Sequence, residues 1–270
     1  MFFIKSVRLG CITAFLTVFS TSALFGIEVV RIHERLVLRD DCNKIEANRS
    51  SLAQWSQTLG SKRICNQEPL PLSNRKNDSD CELDITDCVP EHVRKYHGLS
   101  PKLSGPTCWN LPLVMSSLLP FMRYSTPEEM AFYLRSPLCR NITPKENLVP
   151  GDLGAIRSMN DGSISEEHGF IFISEDLAYS KSGPGVLQPY ALQSLSEVYE
   201  KYHLSKQKEC QSDQTNDNTN CKTTVSFFRC QSFDQYLKDS ENIPPEITTT
   251  LNYFFSFEGC LENRILQGGP

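Results

Sequence analysis

Gly105-Pro106-Thr107-Cys108-Trp109-Asn110 sets a cysteine where an irregular segment gives way to a helix. Thr107 suits an N-cap, and Leu111, Val114, Met115, Leu118 and Leu119 recur behind it at helical spacing. Cys108 is therefore expected in a first helical turn. There, unpaired amide hydrogens and the positive end of the helix dipole favour a thiolate, and one amide can hold an oxyanion. The competing reading makes Cys108 half of a disulfide, with Cys139 as its partner, in a chain of 11 cysteines. Pro112 removes one amide just past the first turn and is expected to loosen or bend the helix.

Downstream, Ser125-Thr126-Pro127-Glu128-Glu129 combines a capping Thr, a first-position Pro and a third-position Glu, which predicts a helix carrying Met130, Phe132, Tyr133 and Leu134 and ending near Ser136-Pro137. Pro150-Gly151-Asp152-Leu153 is a turn feeding a short apolar strand through Ile156. In Glu166-Glu167-His168-Gly169-Phe170-Ile171-Phe172-Ile173 a histidine heads a strand apolar on both faces, with Phe170 and Phe172 on its own face. Leu177 to Gly183 reads as the return strand. A three-residue loop pairs Ser180 with Phe170 and puts it on the face of His168, whereas a two-residue loop turns Lys181 there. Ser180 is the preferred orienter of the imidazole, because a hydroxyl accepts from a ring N–H and an ammonium does not.

Residues 1–23 have the form of an export signal: Lys5 and Arg8, an apolar run from Leu9 to Phe19, then Ser20-Thr21-Ser22-Ala23. The run is short for a membrane span, so cleavage is favoured over an uncleaved anchor, no stable span is expected afterwards, and the mature chain is read as periplasmic or secreted. Loss of Lys5 and Arg8 leaves 25 basic side chains against 32 acidic, a formal charge of −7, which argues against a nucleic-acid partner. Ten cysteines remain, with no CxxC among them. The histidines at 33, 92, 97, 168 and 203 are scattered, so neither a metal nor another cofactor is expected and disulfides are the better account.

Residues 24–95 read as a helical, cysteine-containing N-terminal region, with Ile45, Leu52, Trp55 and Leu59 on one stripe and Gly60 as its stop. Residues 66–80 form a polar loop bracketed by Cys42, Cys65, Cys81 and Cys88, for which three connectivities are possible. Tyr190 to Tyr202 has a helical pattern in Leu192, Leu195, Val198 and Tyr199, followed by a polar insertion at about 205–222 and a strand over Thr224–Phe228. Residues 233–270 form a C-terminal extension. Pairing Cys42–Cys65, Cys81–Cys88, Cys210–Cys221 and Cys230–Cys260 leaves Cys108 and Cys139 over.

The cysteine opening a helix in Thr107-Cys108-Trp109-Asn110, the Pro150–Leu153 turn and the histidine opening the strand from His168 to Ile173 resemble, in order and spacing, the NlpC-type branch of the papain-like cysteine peptidases. The likeness covers roughly residues 96–232. It implies an α+β fold with a papain-like core of helices on a small antiparallel sheet, with Cys108 as nucleophile, His168 as base and Ser180 as orienter. It implies acyl transfer through a thioester, with the peptide of bacterial cell wall as substrate, and assigns the Asp152 turn a structural part. This chain has Thr107 and bulky Trp109 where the family usually carries Asp before the cysteine and Ser or Gly after it. Trp109 then either walls a substrate cleft or packs beneath the helix. Two alternatives stand beside the hydrolase: a non-catalytic envelope module with Cys108 locked to Cys139, and an acyltransferase using the same dyad.

Overall fold

The computed structural model describes residues 27–72, 79–100, 106–160, 163–183, 185, 187–202, 204 and 223–239. The expected export signal, the polar insertion with Cys210 and Cys221, and Cys260 lie outside them. Among the described residues the chain is mixed α and β, with two antiparallel sheets.

The N-terminal region contains the expected helix but is not mainly helical. Strands β1 (Glu28–Ile32), β2 (Arg35–Asp41), β3 (Leu70–Pro71) and β4 (Asp80–Asp84) form a sheet in the order β1-β2-β4-β3. Helix α1 (Cys42–Thr58) begins where β2 ends: Asp41 caps it by accepting from the Asn43 amide at 2.8 Å. It buries Ile45, Leu52 and Trp55, and Gly60, at φ 77°, turns the chain away in the left-handed region. The sheet escaped the sequence reading because its short strands mix apolar and charged residues, as in Arg35-Leu36-Val37-Leu38-Arg39-Asp40-Asp41, and the longer helical stripe dominates the pattern. Register also decides the disulfides. Asp40 lies opposite Cys81, so Cys42, two residues on, meets Cys81, and Cys65 is left to Cys88. The bridges are thus Cys42–Cys81 and Cys65–Cys88, not Cys42–Cys65 and Cys81–Cys88.

After α2 (Glu91–Tyr96) come α3 (Asn110–Met115) and α4 (Pro127–Arg135), and then β5 (Cys139–Asn141), β6 (Leu153–Asn160), β7 (Ser163–Phe172), β8 (Leu177–Lys181) and β9 (Tyr190–Ser194). Helix α5 (Leu195–Lys201), β10 (Thr223–Cys230) and α6 (Phe233–Asp239) follow. The second sheet has the order β5-β10-β6-β7-β8-β9. The expected helix from Tyr190 is therefore half strand: residues 190–194 alternate in burial and pair with β8, and helix begins only at Leu195. The strand expected over Thr224–Phe228 forms and lies between β5 and β6, where Cys230 faces Cys139. These two are bonded, which overturns both Cys230–Cys260 and Cys108–Cys139.

The second sheet buries both faces. Leu153, Ala155 and Ile171 pack towards α3 and α4 or towards the α1 core, whereas Ile156, Phe170, Phe172 and Ala178 pack with Leu195 and Val198 of α5. Where β6 crosses β7, a Cβ on Gly154 would stand 2.2 Å from the Phe170 ring, so glycine there admits the ring. Asp152 accepts from both Nε and Nη2 of Arg229 at 2.8 Å and from the Val149 amide at 2.7 Å, a structural part as expected for this turn. No helix among the described residues is long and apolar enough to cross a membrane. The three disulfides among the described residues fit an oxidising, extracellular compartment.

Candidate active site

Cys108 sits in a turn just before α3 rather than inside its first regular turn, although the start is helix-like. Thr107 Oγ1 accepts from the Asn110 amide at 3.2 Å, and the Leu111 amide reaches the Thr107 carbonyl at 3.3 Å. Behind the cysteine the segment is braced by buried polar groups. Thr107 donates to the Ser125 carbonyl, Asn110 donates to Ser125 Oγ and accepts from the Arg123 amide at 2.9 Å, and the Arg123 guanidinium pairs with the buried Glu129 carboxylate. That pairing draws Glu129 away from closing the expected capping box, of which only the Thr126 half is made, Thr126 Oγ1 accepting from the Glu129 amide. Pro112 does not break α3, which runs from Asn110 to Met115 and buries Leu111, Pro112, Leu113 and Met115.

Cys108 is the free cysteine among the described residues and is 4% exposed. Burial pushes its thiol up to about 11, against the opposing pull of the amides of Gly169, Cys108 and Trp109 and the charge of Lys181. The expected low-pKa thiolate is thus not the resting state: desolvation outweighs the dipole of a six-residue helix. The same amides form a small cluster of N–H groups around the sulfur.

His168 is 1% exposed and stands opposite Ile156, next to a bulge between Ile156 and Arg157. Its ring shares the face of Phe170, with which it stacks at 6.3 Å, and so faces α5. Helix α3 lies across the other face, where a Cβ on Gly169 would meet Pro112 Cγ at 2.7 Å and the Cys108 carbonyl at 3.0 Å. The Cys108 backbone therefore packs on the Gly169 side of β7, while its sulfur reaches the Gly169 amide, next along the chain from His168. Cys108 and His168 are not hydrogen-bonded to each other, and among the described residues His168 Nε2 is buried with no partner. Burial, assisted by Lys201, holds the imidazole down to about 3, so the resting pair is thiol and neutral imidazole.

Ser180 lies opposite Phe170, the register expected of the longer hairpin loop, and is fully buried. It does not orient His168. Its Oγ accepts from Gln193 Nε2 at 2.5 Å, while Nδ1 of His168 meets the hydroxyl of Tyr202 at 2.8 Å. The Tyr202 ring also stacks on the imidazole, with centroids 4.4 Å apart. Sequence alone carried no sign of this contact, since Tyr202 closes an ordinary helical pattern. Lys181 takes the other face of β8, buried, with Nζ donating to the carbonyls of Gly183 and Gly185. Trp109 is half-buried and packs against the α4 cluster, its indole N–H donating to the Glu166 carbonyl at 3.1 Å. That favours the packing reading over the cleft wall.

A cleft of about 680 Å³ lies elsewhere, between the edges of β1 and β9, and neither Cys108 nor His168 lines it. Among the described residues no group of three or more His, Cys, Asp or Glu is placed to hold a metal. Comparison of the chain with protein-family models, with curated proteins and with solved structures finds no match, so the likeness to NlpC-type peptidases rests on the residues quoted above.

Proposed function

We propose that this is an exported cysteine hydrolase that cleaves an amide bond, with Cys108 as nucleophile and His168 as base. The observation that carries this reading is the convergence on one strand, β7. A free sulfur faces the amides of Gly169, Cys108 and Trp109, and the residue before Gly169 is a histidine with an unbonded Nε2. Since both groups rest neutral, the chemistry is general-base rather than ion-pair catalysis. Sulfur attacks the carbonyl carbon as its proton passes to Nε2, the amides receive the oxyanion, the amine leaves with that proton, and water releases the acid. The papain-like arrangement and a cell-wall peptide substrate follow from the sequence resemblance, and the disulfides fit an extracellular site of action. Trp109, next to the nucleophile, braces this segment by packing against the α4 cluster and donating to the Glu166 carbonyl.

A second reading, a non-catalytic module with an inert thiol, draws on the burial of both groups and the lack of a bond between them. Incubation with purified cell-wall peptides decides between the two, followed by acid quench and mass spectrometry of the Cys108 peptide. The hydrolase releases amine, traps an acyl adduct on Cys108, and loses about 100-fold or more in rate in His168→Ala and Cys108→Ala. Intact peptides and an unmodified Cys108 overturn it in favour of the binding module.

A further inference from the structure

We infer that Tyr202 is the positioning residue of the base, holding His168 in the one tautomer that leaves Nε2 free to take the Cys108 proton. The inference rests on the reading of Cys108 and His168 as nucleophile and base, and it names a group from outside the sheet in place of the strand residue Ser180. Tyr202 directly follows α5, which is anchored by the buried Leu195 and Val198. From there the phenol ring covers the imidazole at 4.4 Å with the planes 21° apart, and Oη reaches Nδ1 at 2.8 Å. Stacking fixes the plane of the imidazole, and the hydrogen bond fixes its rotation within that plane.

The direction of the hydrogen bond follows from the other side of the ring. Nε2 is buried and has no hydrogen-bond partner among the described residues. A hydrogen there would be an unpaired buried donor, which is costlier than an unpaired lone pair. The proton therefore sits on Nδ1 and is donated to Tyr202 Oη, and Nε2 presents its lone pair. When Nε2 accepts the thiol proton, the Nδ1–H···Oη bond persists and strengthens on the imidazolium, and the Nε2 proton then goes to the leaving amine. The charged neighbours fit this direction. Burial and Lys201 disfavour a second proton on the resting ring, while burial, Cys108 and Glu167 raise the Tyr202 hydroxyl and keep it un-ionised.

Tyr202→Phe keeps the stacked ring and removes only Oη. With ¹⁵N-labelled histidine, the wild-type protein is expected to show His168 as the Nδ1–H tautomer, and Tyr202→Phe to shift it towards Nε2–H. In hydrolysis Tyr202→Phe is expected to lose about 100-fold in kcat with KM little changed. A His168 tautomer that is Nε2–H in wild type, or unaltered in Tyr202→Phe, overturns the assignment even where no hydrolysis is measured. If His168→Ala abolishes hydrolysis while Tyr202→Phe leaves tautomer and kcat unchanged, only Tyr202 loses its role. If His168→Ala hydrolyses as wild type does, the reading of the base itself falls.

Discussion

Two buried histidines, one against the edge strand β9 and one on the interior strand β7, are treated in opposite ways. At the seam between the sheets His97 has both nitrogens occupied: Nδ1 accepts from the Leu192 amide at 3.0 Å and Nε2 donates to the Val29 carbonyl at 3.2 Å. It joins β1 to β9 and has no capacity to spare. On β7, opposite Ile156, His168 is held on one side and left unbonded on the other among the described residues. A histidine with both nitrogens used stabilises structure, and one with a single nitrogen used retains a site for a proton. His92 adds a condition. Its Nδ1 meets the Tyr179 hydroxyl at 2.9 Å and its Nε2 is also unpartnered, yet the nearby Cys88 is locked in a disulfide. What sets His168 apart is that the free thiol reaches the amide of its chain neighbour, Gly169.

The comparison sharpens most at the bridge that frees the thiol. Replacing Cys139 and Cys230 together by Ala is expected to lower unfolding free energy by about 4 kcal/mol, given a loop of 91 residues, as measured by urea denaturation. At the seam, His97→Leu strands the Leu192 amide and the Val29 carbonyl, and is expected to cost about 3 kcal/mol while leaving amide hydrolysis unchanged. Equal loss of hydrolysis from that substitution would erase the distinction between the two histidines. The pH dependence has a definite sign. Burial holds folded His97 to about 4 and folded His168 to about 3, below the unfolded value near 6.5, so unfolding takes up protons. Stability is full above pH 6.5 and falls with acid towards pH 4, by up to about 1.4 kcal/mol per pH unit for each histidine, and His97→Leu removes one such share. The smallest effect is expected at the exposed pair of Lys44 on α1 with Asp176 in the β7–β8 turn: Lys44→Ala should change stability by no more than about 0.5 kcal/mol.

Much of this was legible from local pattern. The apolar run after His168 and the hairpin register that pairs Phe170 with Ser180 both follow from alternation and loop length. The α1 stripe ending at Gly60 and the cap at Thr126 follow from helical spacing and side-chain chemistry. What was not legible is long-range. The partner of Cys42 depends on β4 lying beside β2, and that of Cys139 on β10 entering between β5 and β6. Sharing a face is a weaker condition than making a hydrogen bond. Ser180 shares the face of His168 and is engaged by Gln193, while Tyr202 reaches the ring from a helix end that no strand periodicity foretells. Nor could the state of the thiol be read from its place at a helix start, because burial by α3, β7 and their neighbours outweighs the local dipole.

The position of β10 gives the thiol its state as well as its place. Cys108 and Cys139 both precede Cys230 in the chain, so the partner of Cys139 lies 91 residues further on. Because β10 lies between β5 and β6, Cys139 is claimed by the residue opposite it. Cys108 is left reduced because the register of β10 against β5 matches Cys139 to Cys230. A strand that is last but one among the described elements thus decides, by its register alone, which cysteine keeps its thiol.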